Sequence, residues 1–310
     1  MLAALTGFGH IGLIVGLGVL LAHVKVLGDL QRALLNRLAF LVASPALLFT
    51  VVSTADLGRL FSETLLVSAL AIFLAGGLQL VLARAVHRAQ GAEAVIGALC
   101  AAYANAGNLG LPITAAILGD MSWMAPILLL QVGLLQPLAL GYLDVHAART
   151  QNRQISWWAY PTLPLRNPIT VATMLGLAVN LAGWTTPEVI ATPIEMVGGM
   201  AIPAMLIAFG VSLRLDPLSG RGGSPINLWT IVLIKVLLHP LLAYLLATQV
   251  WHLGSLQVLA VTVIGALPAA QNIAVIASRY EVGRLLARDA IFISTLLSVP
   301  AIVAISALLR

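Results

Sequence analysis

Two stretches of this chain, residues 94–119 and 253–278, run for 26 residues each without a charged side chain, and helix-breaking residues interrupt both. A straight helix of that length would reach about 39 Å, more than the ~30 Å of hydrocarbon in a bilayer. Backbone in that medium must satisfy its own hydrogen bonds, so an interruption is tolerated only inside protein or beside a cavity. The first stretch contains Asn105-Ala106-Gly107-Asn108-Leu109-Gly110-Leu111-Pro112, and the second contains Pro268-Ala269-Ala270-Gln271-Asn272. Apolar segments broken at matching places in two halves of a chain are a sequence pointer to a transporter's binding site.

Composition sets the class. Hydrophobic residues make up 60% of the 310 and charged residues 9%, against ~25% charged in a soluble domain. An all-α membrane protein follows. Reading for runs of about 20 apolar residues gives ten spans: 4–23, 37–55, 64–84, 93–118, 122–143, 167–184, 194–212, 227–250, 254–278 and 288–308. With the N-terminus outside, thirteen of the 16 Lys and Arg fall in inside connections; Arg59 and Arg310 fall outside, and Lys235 lies within a span. That imbalance obeys the positive-inside rule and predicts a multi-pass protein of the cytoplasmic membrane with both termini outside. The net charge of +5 therefore reads as an orientation signal and not as a nucleic-acid footprint. Trp157, Trp158 and Tyr160, in the longest inside connection, read as headgroup anchors. No basic segment precedes the first apolar run, so a cleaved signal peptide is not expected. The single Cys100 excludes a disulfide within the chain.

The spans repeat. Pro45-Ala46 and Pro203-Ala204 lie in the second span of each half, Asn108 corresponds to Asn272, and Pro137 corresponds to Pro300, at offsets of 158, 164 and 163. Five spans is an odd number, so the second half enters from the opposite side. The expected architecture is two inverted five-helix repeats, residues 1–144 and 167–310, joined by a cytoplasmic connection over 145–166, with broken fourth and ninth helices.

Pro112 and Pro268 lack an N–H and crowd the preceding turn, while Gly107 and Gly110 permit non-helical backbone. Each break yields a half-helix whose N-terminus carries unpaired N–H groups and partial positive charge. Two such ends at the midplane attract an anion. The candidate substrate-binding set is Asn105, Gly107, Asn108, Gly110, Pro112, Pro268, Ala269, Gln271 and Asn272. Its amides can bond a carboxylate, cap the half-helices, or both.

Coupling has two candidates. Lys235 and His239 share a helix face, and charge within a span marks function by default. Either the pair binds protons or balances the anion's charge, or Lys235 snorkels to the inner surface and His239 caps backbone freed by Pro240. Sodium would need an oxygen cage. Gln131, Gln271, Asn272, Ser294 and Ser298 offer oxygens, but no Asp or Glu occupies the middle of the fourth or ninth span. No resident metal or cofactor is expected.

The run Gly7-Phe8-Gly9-His10-Ile11-Gly12 fits a dinucleotide-binding pattern but lies in an apolar span with no strand before it. With Gly16 and Gly18 it reads as a place where helices approach closely. The absence of a nucleophile elbow, a His-Glu-x-x-His motif and paired intramembrane carboxylates argues against an enzyme. A membrane sensor without transport would need a signalling domain, and no loop is long enough to form one.

The run Asn105–Ile113 and the run Leu267-Pro268-Ala269-Ala270-Gln271-Asn272 resemble the fourth- and ninth-span motifs of the auxin efflux carrier family, and the similarity extends over essentially the whole chain. The resemblance implies a ten-helix fold shared with the bile acid sodium symporters. In that fold spans 1, 2, 6 and 7 form a scaffold, while spans 3–5 and 8–10 form a moving transport unit with crossed fourth and ninth helices. It also implies carboxylate-bearing substrates, an elevator-like motion and a homodimer through the scaffold. The central connection is about 22 residues, without the long soluble loop of the large plant auxin exporters. A bacterial mono- or dicarboxylate permease is thus the closer analogue. A sodium-coupled organic anion symporter is the alternative, although the Glu that bile acid symporters carry near this break is absent here.

Overall fold

The computed structural model describes residues 2–55, 62–89, 91–150, 168–216 and 224–309. Trp157, Trp158, Tyr160 and most of the central connection lie outside the described residues, as do the side chains of His10, Asn108 and Pro112. The helices follow in the order α1 (Leu2–His23), α2 (Asp29–Ser53), α3 (Glu63–Ala85), α4 (Ala92–Ala102), α5 (Leu111–Leu118), α6 (Pro126–Thr150), α7 (Pro168–Leu181), α8 (Glu188–Leu215), α9 (Pro225–Val250), α10 (Ser255–Ala266), α11 (Asn272–Tyr280) and α12 (Arg284–Leu308). Among the described residues α2, α3, α6, α8, α9 and α12 are long and apolar enough to cross a bilayer, and Gly12–His23 of α1, α4, α7 and α10 are shorter apolar helices. The all-helical membrane architecture expected from composition is present. Leu13, Leu181, Val189 and Leu308 are each at least 70% exposed, as suits a surface facing lipid tails and not water.

Local chemistry sets the helix starts. The Ser62 hydroxyl accepts from the Leu65 N–H at 3.3 Å, with Glu63 in the first turn of α3. Ser224 does the same for Asn227 at 3.3 Å, directly before Pro225 at the head of α9. Each cap satisfies one of the donors a helix start leaves unpaired.

Prolines shape the helix interiors. The backbone widens into π turns at Ala39–Ala43, Ala106–Gly110, Gln131–Leu135 and Ile234–Leu238. Each ends two residues before a proline: Pro45, Pro112, Pro137 and Pro240. A proline ring clashes with the carbonyl four residues back and leaves it without a donor. One extra residue in the turn moves that carbonyl aside and keeps the rod continuous.

Small residues set the spacing between helices. A Cβ on Gly18 of α1 would run into the Ile207 carbonyl oxygen of α8, and one on Gly210 of α8 would run into the Val15 carbonyl oxygen of α1. Likewise a Cβ on Gly176 of α7 would lie 2.8 Å from the Phe49 carbonyl oxygen of α2, and one on Gly198 of α8 would lie 2.9 Å from the Leu47 nitrogen. These contacts draw α1, α2, α7 and α8 into one close-packed group. Of the glycines near the N-terminus, Gly18 makes the close approach; Gly9, Gly12 and Gly16 meet nothing within 4 Å.

Candidate solute-binding site at the helix crossing

The helix α4 stops at Ala102 and α10 at Ala266 because the backbone after each turns extended: Tyr103 has φ −77°, ψ 112° and Leu267 has φ −58°, ψ 143°. The two extended segments cross and pair antiparallel, Ala104 opposite Ala269. The Asn105 N–H donates to the Pro268 carbonyl at 2.8 Å and the Ala270 N–H donates to the Tyr103 carbonyl at 3.3 Å. The outward-facing groups also find partners. With its amide turned to match donor to acceptor, the Gln131 side chain of α6 donates to the Ala104 carbonyl and accepts from the Ala104 N–H, both at 2.9 Å. On the other strand the Ala269 N–H donates to the Ser294 hydroxyl of α12 at 3.2 Å. A single antiparallel bridge, flanked by a glutamine and a serine, is how this buried backbone avoids the several kcal/mol that each unmet group costs in hydrocarbon.

The first break therefore lies upstream of where Gly107, Gly110 and Pro112 would put it. Those residues occupy the π turn Ala106–Gly110 and the first turn of α5. Gly110 has helical φ −60° and ψ −50°, so its backbone freedom is not used. Its missing side chain leaves room for Met124 and Leu267, whose atoms would lie 2.7 and 3.1 Å from a Cβ. Pairing with the Pro268 strand, not glycine, makes the interruption.

Beside the crossing lies a cavity of about 100 Å³, well above the ~10–15 Å³ that one water requires. Its polar lining includes Ser44, Tyr103, Asn105, Gln131, Gln136 and Asn272, set among apolar side chains of α2, α6 and α8. Gly107 and Gln271 also line it, whereas Gly110, Pro268 and Ala269 are buried in the backbone behind it. Asn105 Nδ2 donates to Gln271 Oε1 at 2.7 Å, so this predicted pair fastens one break to the other. The Tyr103 hydroxyl donates to Gln136 Oε1 at 3.0 Å, and Asn272 Nδ2 lies 3.2 Å from Gln136 Oε1 and 3.4 Å from the Tyr103 oxygen. Asn272 Oδ1 is buried without a hydrogen-bond partner among the described residues. Tyr103 and Gln136 were missed by sequence reasoning. Gln136 carried a signal, an amide in an apolar span next to Pro137; Tyr103 carried none.

Lys235 and His239 do not line this cavity. Lys235 sits on the π turn Ile234–Leu238, fully buried, with Nζ 2.9 Å from His239 Nδ1 and 3.3 Å from the Gly265 carbonyl. The side chain thus turns inward against α10 and does not snorkel. The close passage is possible because residue 265 is glycine: a Cβ there would lie 2.9 Å from Pro240 Cα. Of the oxygens considered for sodium, Gln131 and Ser294 are taken up by the breaks, and Ser298 donates to the Thr295 carbonyl at 2.9 Å.

Comparison with known proteins gives the same picture of a membrane carrier. A family profile described as membrane transport protein matches residues 10–156 and 159–306. A protein named "Putative malonate transporter" from Rhizobium meliloti is 26% identical over 279 residues, covering 89% of this chain and 86% of its own. A protein named "Uncharacterized transporter" from Methanothermobacter thermautotrophicus is 30% identical over 291 residues, covering 91% of this chain and 90% of its own. Both names describe transporters and not enzymes. A multi-pass helical chain whose interrupted helices cross beside an amide-lined cavity, matched along nearly its whole length, belongs to the membrane transport protein family, that of the auxin efflux carriers.

Proposed function

We propose that this chain is a secondary transporter of small organic anions that binds a carboxylate in the cavity beside the helix crossing. The observation that carries the reading is the paired break itself: backbone polarity is brought to a partly polar pocket without any full charge lining it. The helix that opens with the turn Ala106–Gly110 and the start of α11 lie at that level, and partial positive charge at a helix start favours an anion. Asn272, with its amide turned so that Nδ2 faces inward, supplies a directional donor. A small pocket and a relative named for malonate point to short mono- or dicarboxylates as the first substrates to test.

In this reading the chain has ten spans as two inverted five-helix repeats, both termini outside. The glycine-packed group α1, α2, α7 and α8 is the scaffold, and the crossing with its neighbours is the unit that moves, in an elevator-like alternation, within a homodimer. Lys235 and His239 carry the coupling proton or balance the anion's charge. Sodium coupling is the weaker alternative, since Gln131, Ser294 and Ser298 already have other partners.

The test is counterflow in proteoliposomes of the purified protein with labelled malonate and a panel of mono- and dicarboxylates. Exchange in the wild type, with loss in Asn272→Leu of both exchange and the ligand-induced rise in Tm, supports the reading. Silence across the panel in folded protein overturns it.

A further inference from the structure

A second, smaller cavity lies next to the first. It is lined by Arg32, Ser212, Asp216, Ser278, Arg284 and Arg288, and both cavities share Met205 and Val275 as lining. About 20 Å³ of space remains in it, room for roughly one water and no solute. It is closed by charge. Asp216, at the end of α8, accepts from Arg32 of α2 at 2.8 Å and lies 3.9 Å from Arg288 Nη1 of α12. Arg32 is also held by Asp29 at 2.6 Å, and Arg288 Nε donates to Asp289 at 2.6 Å. Next to this network the Phe40 and Tyr280 rings meet edge-on at 6.5 Å, with the Arg279 guanidinium 5.9 Å from the Phe40 centroid.

One group here is out of balance. Arg288 is 3% exposed, yet its Nη1 has no hydrogen-bond partner among the described residues; Asp216 is too far to accept from it. A buried guanidinium left short of acceptors costs more than a neutral group would. Asp289 already holds the Nε and Nη2 side of Arg288, so a carboxylate placed in that cavity meets the need by accepting a charge-assisted hydrogen bond from Nη1.

We infer that this cavity is a shut vestibule between the crossing and the basic face of the protein, in which Arg288, with Arg32 and Arg284, receives the solute's carboxylate while Asp216 holds the passage closed. The inference rests on the anion-transport reading for its ligand, but not for its latch. Asp216 and the solute compete for the Arg288 guanidinium. When the carboxylate passes Met205 and Val275 it meets the open Nη1 of Arg288 and displaces the 3.9 Å ion pair from Asp216, which loosens α8 from α12 while Asp216 stays on Arg32. The latch joins the scaffold helices α2 and α8 to α12 of the unit proposed to move, so releasing it is coupled to opening.

The experiment uses the full-length protein with Cys100→Ala, which removes its single thiol, and Ser278→Cys as a reporter on the cavity wall. Labelling by a membrane-impermeant thiol reagent is slow in the closed state, and Asp216→Asn raises the rate at least about five-fold. An unchanged rate overturns the latch. In counterflow with labelled malonate, Arg288→Gln and Arg284→Gln each raise the half-saturating concentration several-fold. Unchanged values overturn the anion site. Arg284 is exposed, so its variant keeps the question answerable if Arg288→Gln does not fold. If the wild type exchanges no carboxylate, the anion site falls with the transport reading, while the labelling rates still decide the latch.

Discussion

Replacing Gln131 by Leu removes the side chain that meets both backbone groups of Ala104. Leu, unlike Ala, fills the space and leaves no room for a substituting water in the adjoining cavity. The Ala104 N–H loses its partner, while the Ala104 carbonyl keeps the Ala106 N–H at 2.8 Å, so the variant is expected to lose about 1–3 kcal/mol. For a chain of this size that lowers the apparent Tm by about 2–12 °C, taking ~2–4 °C per kcal/mol. Ser294→Ala serves as an internal scale. It likewise strands one group, the Ala269 N–H, so its loss should be similar, about 1–3 kcal/mol. The assay is thermal unfolding of the purified protein in mild detergent, followed by intrinsic fluorescence and by aggregation. A Gln131→Leu variant within about 2 °C of wild type, less than even one stranded group predicts, would show that Gln131 does not hold the crossing strand.

Three further outcomes are expected. Gly210→Val should fail to fold stably, since even the first added carbon runs into the Val15 carbonyl oxygen and lies 2.9 Å from Gly18 Cα; an overpacking loss of about 1–3 kcal/mol or more appears as a lower Tm and lower yield of monodisperse protein. Tyr103→Phe removes the hydroxyl that joins Gln136 to Asn272 at a stability loss of only about 0.5–1.5 kcal/mol, and it should raise the half-saturating anion concentration several-fold in counterflow. Lys235→Met should flatten the dependence of anion uptake on pH; a profile identical to wild type removes the Lys235–His239 pair from coupling.

The residues differ in how openly they declare their roles. The helical membrane class was legible because nothing but lipid can cover so much apolar surface, and Pro268 marked the second break because proline cannot donate where it sits. The first break was read several residues too late, at Gly107–Pro112. Nothing in Tyr103-Ala104-Asn105 disfavours a helix; the extended conformation is imposed by a strand more than 160 positions away, and only the folded chain brings the two together. Gln131 and Ser294 were visible as oxygen donors in apolar spans, but their partners, the backbone of Ala104 and Ala269, could not be seen until the breaks were placed. Lys235 stood out as an intramembrane charge, and its inward turn depends on Gly265, whose missing side chain carries no label in the sequence. Arg288 was hidden among other basic residues of the inside connections, where a positive charge is the default.

The widened turns before Pro45, Pro137 and Pro240 have a consequence for how this chain can change. Each inserts one residue into a continuous rod, which rotates all that follows by about 100° around the axis. Seven-residue spacing counted across such a turn assigns the wrong side to the protein interior. By the same geometry, these are the places where a rod tolerates gaining or losing one position while both its ends stay put. Length differences of a single residue between this chain and its relatives should therefore gather at 39–43, 131–135 and 234–238, and any alignment that scatters them elsewhere will misplace the downstream faces.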